Sequence, residues 1–120
     1  GIPSNSSQVL CIDPETHTTE LFGSISGEYK WFGGVLAPNG KIYGIPYKST
    51  QVLCIDPETH TTALFGDLQG DSKWRGCVLA PNGKIYGVPY EQNTILCIDP
   101  GCKQNFKMDT LLSALINTDF

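Results

Sequence analysis

Residues 35–44 read VLAPNGKIYG, and residues 78–87 read VLAPNGKIYG again. The match extends well beyond this decapeptide. Residues 2–44 and 45–87 align without a gap and agree at 32 of 43 positions. A third copy begins at Val88 and holds through VPYEQNTILCIDP to Pro100, after which residues 101–120 diverge. Self-similarity at a fixed period of this size marks a repeat architecture, with one supersecondary unit per period.

Each period resolves into four short strands, a to d. GGVLA and GCVLA are apolar and glycine-led. KIYGIPY follows PNG, a turn in which proline presets φ and Asn-Gly accepts a left-handed backbone. QVLCIDP follows a polar loop, and TTELFG or TTALFG follows PETH. No segment of the period shows 3.6-residue periodicity, which excludes a helical solenoid. Strand c, QVLCID, is apolar at successive positions, as in a sheet covered on both faces. The expectation is an all-β chain of β-propeller blades, each a four-stranded antiparallel meander. Residues 1–100 hold the repeats (2–44, 45–87 and a partial 88–100). Residues 101–120 form a divergent tail, expected to supply a last strand and a short amphipathic helix around Met108, Leu111, Leu112, Leu115 and Ile116.

Two families share parts of this pattern. KIYGIPY…QVLCIDPETHT resembles the kelch-type blade, although Ile45-Pro46 and Val88-Pro89 stand at the place of its double glycine and a threonine at that of its tryptophan. KW…VLAPNGKIYG resembles the blades of tachylectin-like sugar-binding propellers. The resemblance spans residues 2–100 and implies a propeller; the second likeness implies sugar binding as well. A ring closes with roughly four to eight blades, and this chain holds about two and a half. Open sheet edges and uncovered faces are a liability in water. The expectation is therefore a fractional propeller, completed as a homo-oligomer.

Composition removes several classes of partner. Eight Lys and Arg against twelve Asp and Glu give a net charge of −4, with the basic residues scattered singly. Nucleic acid, which needs clustered cations to release counterions, is not an expected partner. No apolar run approaches the roughly 20 residues of a membrane-spanning helix, so no membrane is expected either. Of five cysteines, Cys11, Cys54 and Cys97 recur in LCID at a spacing of 43. They read as small buried strand residues in reduced form, a mild pointer to an intracellular setting.

Enzyme signatures are missing from the sequence. GSISG at 23–27 has Ile25 where a nucleophile elbow needs serine, and its second copy reads GDLQG. His17 and His60 fall in equivalent PETHT turns of different units, too far apart to share a metal. Asp13, Asp56 and Asp99 each precede proline or its turn and are expected to accept bonds from nearby backbone N–H groups. No catalytic residue, metal or cofactor is expected.

The eleven differences between the first two copies are unevenly placed. Three lie in the b–c loop and six in the d–a connector, while PNG and PETH do not change. In a meander, b–c and d–a connections emerge at one rim, and a–b and c–d turns at the other. Loops on a rigid scaffold commonly carry binding. The candidate binding residues are Trp31, Trp74, Tyr29, Tyr47, Tyr90, Lys48 and Arg75. The two tryptophans, unchanged between copies, have two readings: burial between blades, or platforms for stacking a sugar. The functional expectation is a non-enzymatic, self-assembling interaction scaffold, with a lectin-like propeller as the alternative. Its partners would be further copies of itself and a protein or glycan on the variable rim.

Overall fold

The computed structural model describes residues 1–101. They form nine strands and no helix: β1 (Val9–Asp13), β2 (Thr18–Phe22), β3 (Trp31–Leu36), β4 (Ile42–Pro46), β5 (Val52–Asp56), β6 (Thr61–Phe65), β7 (Trp74–Leu79), β8 (Ile85–Pro89) and β9 (Leu96–Ile98). All pairing is antiparallel between sequence neighbours, giving sheets β1-β2, β3-β4-β5-β6 and β7-β8-β9. The middle sheet is the complete a-to-d meander expected from the period, and the outer two hold parts of it. The proposed tail strand and helix lie outside the described residues.

The turns form for the expected reasons. Gly40 and Gly83 take φ of 86° and 84° in the two PNG turns. There the Asn39 and Asn82 side-chain oxygens accept the Lys41 and Lys84 N–H, each at 2.9 Å. At the c–d hairpin, Asp13 accepts the Glu15 N–H at 2.9 Å and Asp56 the Glu58 N–H at 3.0 Å. The Glu15 and then Thr16 N–H groups hold the Asp13 carboxyl below its ordinary range. These bonds close the turns and leave the aspartates with a structural role.

Sheets pack face to face, and the same contact recurs. One core joins Val9 of β1 to Trp31, Leu53 and Ile55 of the middle sheet. A second joins Tyr43, Ile45 and Val52 of the middle sheet to Trp74, Ile85, Leu96 and Ile98 of the last. A Cβ added to Gly44 would meet Ile2 Cγ2 at 3.4 Å, and one added to Gly87 would meet Ile45 Cγ2 at 3.5 Å. The glycine of strand b thus lets an isoleucine from the preceding unit lie against backbone.

Burial separates the three copies of strand c. In β5, Val52, Leu53 and Ile55 are all buried, so both faces are covered, as the apolar run requires. In β1 and β9 only one face is covered. The cysteines correct one expectation: Cys11, Cys54 and Cys77 are half-buried and Cys97 is exposed. Each lies mid-strand, but its side of the strand is closed only where another sheet packs on it.

Candidate binding surface

The d–a connector brings a lysine to the start of strand a in each unit. Lys30 and Lys73 are buried, at 4% and 0% exposure. The Lys30 ammonium donates to the carbonyls of Ser4 at 3.0 Å, Ser6 at 2.8 Å and Gly27 at 2.8 Å. It therefore ties a b–c loop of one unit to the connector entering the next. Lys73 donates to the Gly70 carbonyl at 2.9 Å. Loss of solvent pushes both amines below the ordinary lysine range, opposed by the charge of Glu28 or Asp71.

Backbone bonds complete this clip. The Tyr47 N–H donates to the Lys30 carbonyl at 2.8 Å and the Tyr90 N–H to the Lys73 carbonyl at 2.8 Å. The Lys73 N–H returns to the Tyr47 carbonyl at 3.0 Å. Both b–c loops are thus fixed against strand a, with their tyrosines on the rim. Trp31 and Trp74 follow the lysines inward, 1% and 4% exposed. Their indole N–H groups donate to the Gln51 carbonyl at 2.8 Å and the Thr94 carbonyl at 2.9 Å. Of their two readings, burial is the one observed, and neither indole presents a face for stacking a sugar.

Next comes a bulge. The register of β3 against β4 slips between Trp31 and Gly34, and that of β7 against β8 between Trp74 and Cys77. Gly33 and Gly76 absorb the extra residue at φ of 74° and 80°. The position between tryptophan and bulge glycine is Phe32 in one unit and Arg75 in the next.

The remaining candidates converge there. The Arg75 guanidinium carbon lies 5.0 Å from the Phe32 ring centre, 5.9 Å from that of Tyr47 and 5.0 Å from that of Tyr90. Phe32 meets Tyr47 edge-on at 4.6 Å, and Tyr47 lies 6.0 Å from Tyr90 at a tilt of 46°. Beside this strip, Lys48 Nζ stands 5.4 Å from the Tyr29 ring and 3.9 Å from the Asp71 carboxylate. Tyr29 takes φ of 51°, and its N–H donates to the Asn5 side chain at 2.7 Å. A cleft of about 440 Å³ adjoins it, lined in part by Glu28, Lys48, Thr50 and Leu64.

Tyr29, Tyr47, Lys48, Arg75 and Tyr90 are therefore brought together at one rim, with Phe32 as a further member, while Trp31 and Trp74 lie beneath. The buried lysines and the bulge glycines were not singled out in the sequence. A signal for them existed: K-W-x-G is unchanged in both copies although residues on either side vary.

The strip can recognise a ligand through charge and π contact. A guanidinium against three rings keeps its outer edge for hydrogen bonding, and pairs of this kind contribute about 0.5–1 kcal/mol each at exposed sites. The Lys48–Asp71 pair is exposed at both ends and contributes no more than about 1 kcal/mol. Among the described residues no group of three or more His, Cys, Asp or Glu is placed to hold a metal ion. Comparison of the chain with protein-family models, curated proteins and solved structures finds no match.

Proposed function

We propose that this chain is an interaction scaffold built from β-propeller-type blades, with a protein partner recognised at the rim formed by Phe32, Tyr47, Arg75 and Tyr90. The observation that carries the reading is this cation–aromatic strip, assembled across two sheets largely from positions that vary between copies. The framework below it, from Lys-Trp to the PNG turn, changes at few positions. A constant framework bearing a variable, partly exposed aromatic and arginine cluster is the arrangement expected of a binding surface. Its groups are a guanidinium, an ammonium and phenol rings, suited to recognition, and the reading assigns no catalytic residue.

Burial of both tryptophans favours a protein over a glycan, since among the rim candidates Tyr29 and Tyr90 are the exposed rings. Panning a displayed peptide library and probing a glycan array with the wild-type chain, Arg75→Ala and Tyr90→Ala tests the choice. Peptide binders weakened at least about tenfold by either change are expected. Binding indifferent to both changes, or confined to glycans, overturns the reading.

A further inference from the structure

The two internal sheet contacts share one polarity. Val9 and Ile2 of the first unit face Leu53, Ile55 and Gly44 of the second. Val52 and Ile45 of the second face Leu96, Ile98 and Gly87 of the third. Each sheet therefore has a forward face and a back face, and one forward face covers the next back face.

Among the described residues, the two outermost sheet faces of the series are exposed. Ile45 and Val52 are 0% and 2% exposed, yet their counterparts 43 residues on, Val88 and Ile95, are 55% and 66% exposed. At the other end Leu53 and Ile55 are 0% and 3% exposed, whereas their counterparts Leu10 and Ile12 stand at 37% and 59%. The open forward face keeps the apolar character of the covered one, with valine and isoleucine exchanged. Beside it, an apolar cleft of about 380 Å³ opens where the first hairpin meets the middle sheet, lined by Ile2, Leu10, Ile12 and Ile42 among others.

We propose that the forward face of β7–β9 docks the back face of the β1–β2 hairpin of a second copy, joining chains head to tail. The occupant is argued from continuity: this pair of faces already meets twice within one chain. Val88 and Ile95 would lie against Gly1, Leu10 and Ile12 of the next copy, as Ile45 and Val52 lie against Gly87, Leu96 and Ile98. The contact is heterologous, because the two surfaces differ, so its geometry permits a ring or an open chain of copies. It deepens the scaffold reading and involves no residue of the aromatic strip.

Light scattering of the full chain during size-exclusion chromatography, at tens of micromolar, tests the docking. The wild type should run above monomer mass, and Ile95→Glu and Ile12→Glu should each run as monomers with unchanged far-ultraviolet circular dichroism. An equimolar mixture of the two variants should give a 1:1 dimer, since each supplies the face the other has lost. Alkylation of Cys97, exposed on the same forward face, should slow at least about tenfold in the wild type relative to Ile95→Glu. A monomeric wild type overturns the proposal, with a protected Cys97 then assigning the face to residues 102–120. So does an Ile12→Glu variant that still associates, which would mean that like faces pair. Arg75→Ala and Tyr90→Ala should leave the mass unchanged, so the docking and the rim reading fail separately.

Discussion

Lys30 combines a buried ammonium with three carbonyl acceptors drawn from two loops. Burying a charge is costly unless its hydrogen bonds are made, and removing one partner leaves the others desolvated. Lys30→Met should keep the aliphatic packing and orphan three carbonyls, lowering stability by about 1–3 kcal/mol in urea unfolding. Lys73 provides a test through pH. Its folded pKa is lowered by desolvation, so between that value and the ordinary lysine range the unfolded chain binds more protons than the folded one. The lysine's contribution to stability therefore rises with pH through that window and is least below it. The stability of the wild type relative to Lys73→Met should accordingly increase from pH 7 to pH 10.5; an unchanged difference would refute the lowered pKa. His17 presents a different strain, at φ of 58° on an exposed turn. His17→Gly should raise the melting temperature, because a left-handed non-glycine residue costs about 1–2 kcal/mol.

At the level of elements, register and close approach decide what each strand tolerates. Strand b carries its glycine where the preceding unit's isoleucine lands, and a Cβ on Gly87 would lie 3.1 Å from Leu96 Cβ. Gly87→Val should cost about 1–3 kcal/mol by overpacking the joint between the second and third sheets, visible as a lower midpoint with an unchanged slope in denaturant unfolding. The strands were legible from the alternation of apolar runs with PNG and PETH, because those turns depend on local chemistry alone. The bulges at Phe32-Gly33 and Arg75-Gly76 were not. A glycine near the head of strand a reads equally well as a flexible strand end, and only pairing with β4 or β8 shows that one residue is extra. That extra residue places Phe32 and Arg75 on the rim, so the composition of the strip was legible and its convergence was not.

For the molecule as a whole, the uneven exposure of equivalent residues is the governing feature. Ile12, Ile55 and Ile98 occupy one position in three units, at 59%, 3% and 4% exposure. If association covers the open faces, stability is linked to concentration, since a partner that binds only the folded state stabilises it by mass action. The melting temperature of the wild type should rise as the chain is concentrated from about 1 to 100 micromolar, and that of Ile95→Glu should not.

The sequence by itself determined the period, the order of strands and turns, and which rim varies. These follow from interactions reaching only a few residues: turn conformations, side-chain alternation and hairpin pairing. Tertiary structure decided the rest: that the repeated tryptophans are buried, that a lysine clips each loop to the next unit, and that Arg75 meets three rings from two sheets. Those outcomes depend on which faces are pressed together. Chemically identical copies of one segment differ in burial according to their place in the series, and no local pattern in the segment records that place.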